Sequence, residues 1–151
     1  MERNSWGVSI FSDDVRFELG GKTSIMGVYL MDFILPAQFP LIIQKLFITV
    51  RYYELVGLFI DDPIVKVYLP GVAAPFFEQR ITRPKVEAST QAYPIDGDGD
   101  KVVFINLVLP FQNLLISEEG PIRVRMHCGD VVTRLGALSV RSARPEEQAF
   151  F

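Results

Sequence analysis

The sequence predicts an all-β fold, an immunoglobulin-like or C2-like antiparallel sandwich of about eight strands. Three observations predict it. The 10 Pro and 11 Gly are spread through the 151 residues and cut the chain into short pieces. Those pieces are rich in Val, Ile, Phe and Tyr, which pack well on a pleated, half-buried surface. Several of them alternate with the two-residue period of a sheet that turns one face to the core, and almost none keeps a helical period. One domain is expected over residues 1–144, followed by a tail at 145–151. With 49% hydrophobic and 22% charged residues, the chain has the composition of a folded domain with a proper core.

In chain order, residues 7–11 give a first strand, with Val8 and Ile10 on one face. Leu19-Gly20-Gly21-Lys22 is a turn. Residues 24–35 are apolar on both phases, the pattern of a long central strand, closed by Pro36 and Pro40. Residues 46–53 set Leu46, Ile48, Val50 and Tyr52 against Phe47, Thr49, Arg51 and Tyr53. Asp61-Asp62-Pro63 turns the chain into a strand at 64–69; residues 76–81 and 86–92 are weaker strands, 96–100 a loop, and 102–109 a strong strand. Residues 111–116 are too short for an independent helix.

The clearest unit is a terminal hairpin. Ile122, Val124, Met126 and Cys128 alternate with Arg123, Arg125 and His127, and Gly129-Asp130 suits a type II′ turn. Pairing Cys128 with Val131 brings Met126 opposite Thr133 and Val124 opposite Leu135. The alternation slips after Leu135, and a bulge at Gly136 restores it. This stretch resembles the last strands of immunoglobulin-like sandwiches, without the paired Cys and core Trp of true immunoglobulin domains; Trp6 lies elsewhere.

Composition excludes several functional classes. A net charge of −3 argues against a nucleic-acid binder. One Cys and one His exclude an internal disulfide and argue against a His/Cys zinc site. The opening MERNSWGVSIFSDD has no secretory pattern, and the longest apolar stretch, residues 25–37, contains Asp32. At 13 residues it falls short of a membrane span. A cytoplasmic protein without a membrane segment is expected, and the lone Cys128 suits a reducing compartment.

No Gly-x-Ser-x-Gly elbow, phosphate loop or dinucleotide fingerprint occurs. Asp13 and Asp14 are adjacent on an extended strand and point to opposite faces, so a strand-end turn is expected, with one carboxylate bonded to backbone amides or to Arg16. Asp96, Asp98 and Asp100 in IDGDGDK resemble the start of a calcium loop. The EF-hand pattern fails, because Lys101 and Leu107 stand where Gly and Glu are needed. A calcium site shared with Asp61 and Asp62 is the minor alternative to a solvated loop. His127 and Cys128 face opposite ways and form no nucleophile–base dyad.

Positive charge gathers at Arg123, Arg125, Arg134, Arg141 and Arg144, with Asp130 the one acid from residue 120 to 144. The hairpin register sets Arg125 opposite Arg134, and like charges directly opposite are destabilising. An acid from a neighbouring strand is the expected neutraliser, with an anion or an acidic partner at Arg123, Arg125 and Arg134 as the alternative. The tail ARPEEQAFF ends in Phe150 and Phe151, expected as a frayed end or, alternatively, a docking element.

The segment FSDDVRFELGGKTSIMGVY resembles the opening of a bacterial family of uncharacterised small β-sandwich proteins, through Asp13, Asp14, Arg16, Gly21, Lys22, Ser24, Gly27 and Tyr29. FPLIIQKLFITVRY is similar to that family's second segment. The resemblance implies a sandwich and supplies no catalytic residues. The functional expectation is a non-enzymatic protein-interaction or assembly accessory module with no cofactor, able to form homo-oligomers through a sheet or an edge. The alternative is a sandwich that binds calcium or an anionic ligand.

Overall fold

The computed structural model describes residues 4–57, 59–82, 93–94 and 101–151. They form a two-sheet β-sandwich. Its strands are β1 (Ser5–Phe17), β2 (Thr23–Tyr29), β3 (Asp32–Leu35), β4 (Leu41–Leu55), β5 (Ile64–Tyr68), β6 (Phe77–Arg80), β7 (Tyr93–Pro94), β8 (Lys101–Ile116), β9 (Gly120–Cys128) and β10 (Val131–Ser142). A 3-10 helix (Pro145–Phe150) follows. The first sheet has the order β2-β1-β4-β8-β7 and the second β3-β10-β9-β5-β6. The expected strands at 86–92 and loop at 96–100 lie outside the described residues.

Alternation fills the space between the sheets. On β4, Leu46, Ile48, Val50 and Tyr52 are all 0% exposed and face Ile122, Val124 and Met126 of β9 and Leu135, Leu138 and Val140 of β10 within one core. Burying each such side chain contributes about 1.5–3 kcal/mol. The hairpin follows its sequence pattern closely. Cys128 pairs with Val131, Met126 with Thr133 and Arg125 with Arg134. Gly129 alone of the two loop residues takes a positive φ, +58°, as a type II′ turn requires. The ladder shifts between Arg134 and Ala137, so Leu135 has no direct partnership with Val124, and Gly136 (φ +106°) sits in the bulge.

Two expectations are corrected. Residues 24–35 are not one central strand but two edge strands: β2 pairs with β1, the chain crosses at the exposed Leu30 and Met31, and β3 joins β10 in parallel. The segment is apolar on both phases because its two halves face the same core from opposite sheets; Tyr29 and Phe33 meet there at 4.5 Å. The β3–β10 pair also makes the second sheet mixed rather than wholly antiparallel. Residues 111–116 continue β8 past Pro110, which a strand tolerates on a side that needs no ladder donor.

The β1–β2 hairpin accounts for the local aspartates. Asp14 pairs with Lys45 at 3.1 Å and Arg16 at 3.7 Å, while Asp13 accepts a hydrogen bond from the Tyr29 hydroxyl. The Lys45 ammonium holds the Asp14 carboxyl below its ordinary range. Gly27 (φ +65°) lets the backbone pass under Asp13, where a Cβ would collide with the carboxylate.

The tail is not a loose end. Arg141 donates to both carboxylate oxygens of Glu147, at 2.7 and 2.8 Å, and to Asp32 at 3.4 Å. Glu147 also accepts the Arg144 backbone N–H at 2.9 Å. These bonds to Arg141 and Arg144 lower the Glu147 carboxyl from 4.5 to about 2. A depressed folded-state value stabilises the tail above about pH 4.5, and that contribution disappears as pH falls through about 2. The tail amides are therefore expected to keep their folded chemical shifts at pH 5 and to move towards random-coil values near pH 2, while those of β9 stay put. Shifts that do not change between the two would contradict the clasp.

Candidate interface on the second sheet

Strands β5, β9 and β10 run side by side, so the polar phase of each meets on the outer face of the second sheet. Register lines up Glu78, Lys66, Arg125 and Arg134 across β6, β5, β9 and β10. The row beside it holds Tyr68 and Arg123, and the row on the other side Ile64, His127 and Val132. The sequence brought Arg123, Arg125 and Arg134 together, and the structure places all three on this face. The expected neutralising acid is not on the neighbouring strand: β5 contributes Lys66.

The bonding follows from that arrangement. Glu78 pairs with Lys66 at 3.6 Å. Arg125 donates to its own strand, Nη1 to the Val124 carbonyl at 2.9 Å. Arg123 lies over the Tyr68 ring at 5.1 Å, a cation–π contact. Among the described residues no carboxylate pairs with Arg123, Arg125 or Arg134. Partial burial, then the charges of Arg123 and Arg134, push the Arg125 guanidinium below its usual value. Burial and then Lys66 do the same to His127, whose ring faces the Tyr68 hydroxyl at 3.5 Å.

The far end of this face opens into a cleft of about 800 Å³ between the sheets, lined in part by Ser5, Trp6, Ile60, Val131, Val132 and Arg134. Behind it lies a polar cluster that the sequence reading missed. Tyr52 donates to the buried Glu54 at 3.0 Å, and Ser5 shares a hydrogen bond with Thr133 at 2.8 Å. Burial, then the Glu54 charge, raises the Tyr52 hydroxyl far above its ordinary range. The signal was present: Glu54 continues the inward phase Leu46, Ile48, Val50, Tyr52.

The remaining candidates stay apart. Cys128 is buried, its thiol against the Asp61 carbonyl at 3.1 Å, whereas His127 faces outward. Asp62 pairs with Arg80 at 3.8 Å. Among the described residues no group of three or more His, Cys, Asp or Glu could hold a metal, and residues 96–100 lie outside them. Phe150 and Phe151 are 84% and 62% exposed, so the ordered tail turns them to solvent instead of covering a sheet edge. Trp6 stacks on Tyr53 at 5.7 Å on the outer side of the first sheet.

Fold and face define an all-β sandwich with a cationic face on its second sheet. No family model, no curated protein and no solved structure matches the chain.

Proposed function

We propose that the chain is a non-enzymatic interaction module, an accessory in assembly, whose second sheet receives an acidic segment of a protein partner. One observation carries the reading: Lys66, Arg125 and Arg134 stand in a single cross-strand row beside Arg123, and Glu78 is the one carboxylate among the described residues that pairs with any of the four. Cross-strand pairs contribute roughly 0.2–1 kcal/mol each, and like charges opposite one another reverse the sign. A negative counterpart relieves that repulsion, and a β-sheet presents its cations at fixed spacing. The separation of His127 from the buried Cys128 supports a role without covalent chemistry.

Titration calorimetry with a glutamate decapeptide tests this. Binding is expected at low ionic strength and is expected to weaken steeply as salt rises to about 0.5 M, since the contacts are exposed and screened. No heat at low salt would overturn the reading. Inorganic phosphate in the same cell distinguishes a small-anion site: phosphate binding as tight as the peptide's would also overturn it.

A further inference from the structure

Among the described residues, two strand edges lie open at the mouth of the cleft. β3 covers β10 only at residues 139–142, and β2 covers β1 only at residues 11–17. Among the described residues, 131–137 of β10 therefore have no strand on the side away from β9. In a two-residue hairpin the residues flanking the loop bond to each other, so Val131 and Thr133 spend their backbone groups on β9. Val132 and Arg134 then direct N–H and C=O outward. The bulge at Gly136 ends the edge, which keeps it short, as natural sheets keep their edges.

The two faces beside that edge differ in chemistry. Val132 and Arg134 lie on the outer face with Arg125 and His127. Val131 and Thr133 lie on the inner side, towards the cleft with Ser5 and Ile60. Asp130 and Asp61 stand at the turn end, so positive charge is concentrated at Arg134.

We infer that the partner segment binds by strand addition along residues 131–134 of β10. It is an extended peptide with acidic side chains on alternate positions, over Arg134 and Arg125, and apolar ones between them, in the cleft. This rests on the cationic-face reading and specifies how that face is used. Main-chain bonds to Val132 and Arg134 give affinity, and the two-residue alternation gives selectivity.

Two peptides of identical composition and charge separate the possibilities: one alternating Glu and Val over ten residues, the other with five Glu followed by five Val. Strand addition is expected to favour the alternating peptide by about tenfold, the worth of one or two net hydrogen bonds. Val132→Pro removes one outward donor, leaves the charges in place and suits an edge strand. It is expected to abolish the preference while the thermal midpoint stays near that of the parent. If the variant does not fold, alternate N-methylation of the Glu-Val peptide makes the same test on the unaltered protein, with the preference again expected to vanish. Equal binding of the two peptides, or a preference that survives both Val132→Pro and N-methylation, overturns strand addition and leaves the cationic face standing. Binding of neither peptide overturns both.

Discussion

Gly7→Ala is expected to lower stability by about 2–3 kcal/mol, as overpacking in a close-packed interior does. Gly7 pairs with Tyr52 on β4 and lies under Leu135 of β10. A Cβ at this position would collide with the Arg51 carbonyl oxygen, stand 2.8 Å from Leu135 Cδ2 and 3.1 Å from Tyr52 Cα. Two of those three atoms are backbone, so no rotamer change relieves the clash. The close approach demands glycine here. Urea denaturation checks it, with the midpoint moving down at an unchanged slope. A midpoint like that of the parent would mean that β1 does not pack this closely against β4 and β10.

Replacing both Arg125 and Arg134 by Gln is expected to move stability and binding in opposite directions. The two guanidinium groups face each other across β9 and β10, with Lys66 on the far side of Arg125. Removing the repulsion should raise stability by a few tenths to about 1 kcal/mol, the range of cross-strand pair effects. Gln keeps a polar side chain of similar reach at the exposed Arg134 and half-buried Arg125 positions, so packing changes little. Affinity for the glutamate decapeptide should fall about a hundredfold or more, because hydrogen bonds to charged groups contribute roughly 1.5–3 kcal/mol each. Sites of function commonly hold such unfavourable arrangements at a cost in stability. Loss of stability together with unchanged binding would indicate that the pair is a structural element.

What the sequence made legible was local. Residues 122–135 declare a hairpin because alternation, turn and bulge all lie within a few positions of one another, and Gly129 and Gly136 take the positive φ that their places require. Arg125 opposite Arg134 followed from that register alone. Lys66 did not, since which strand lies beside β9 depends on pairing some 60 residues distant, and no local pattern encodes it. The same holds for the crossing at Leu30 and Met31. A stretch apolar on both phases has the same pattern whether it is buried centrally or faces one core from two sheets in turn. Glu54 was missed for a different reason: it ends an apolar series, where a charged residue reads as the start of a loop. Arg141 appeared as one more exposed cation, and only the fold shows that it clasps Glu147 and Asp32.

Amide chemical-shift mapping during a glutamate decapeptide titration tests the central claim most directly. Perturbations are expected to concentrate on residues 123–127 and 132–134 and around Lys66, and to be absent at Lys45 and Arg51 of the first sheet. Shifts centred on the first sheet, or spread evenly over every exposed cation, would contradict a dedicated surface on the second.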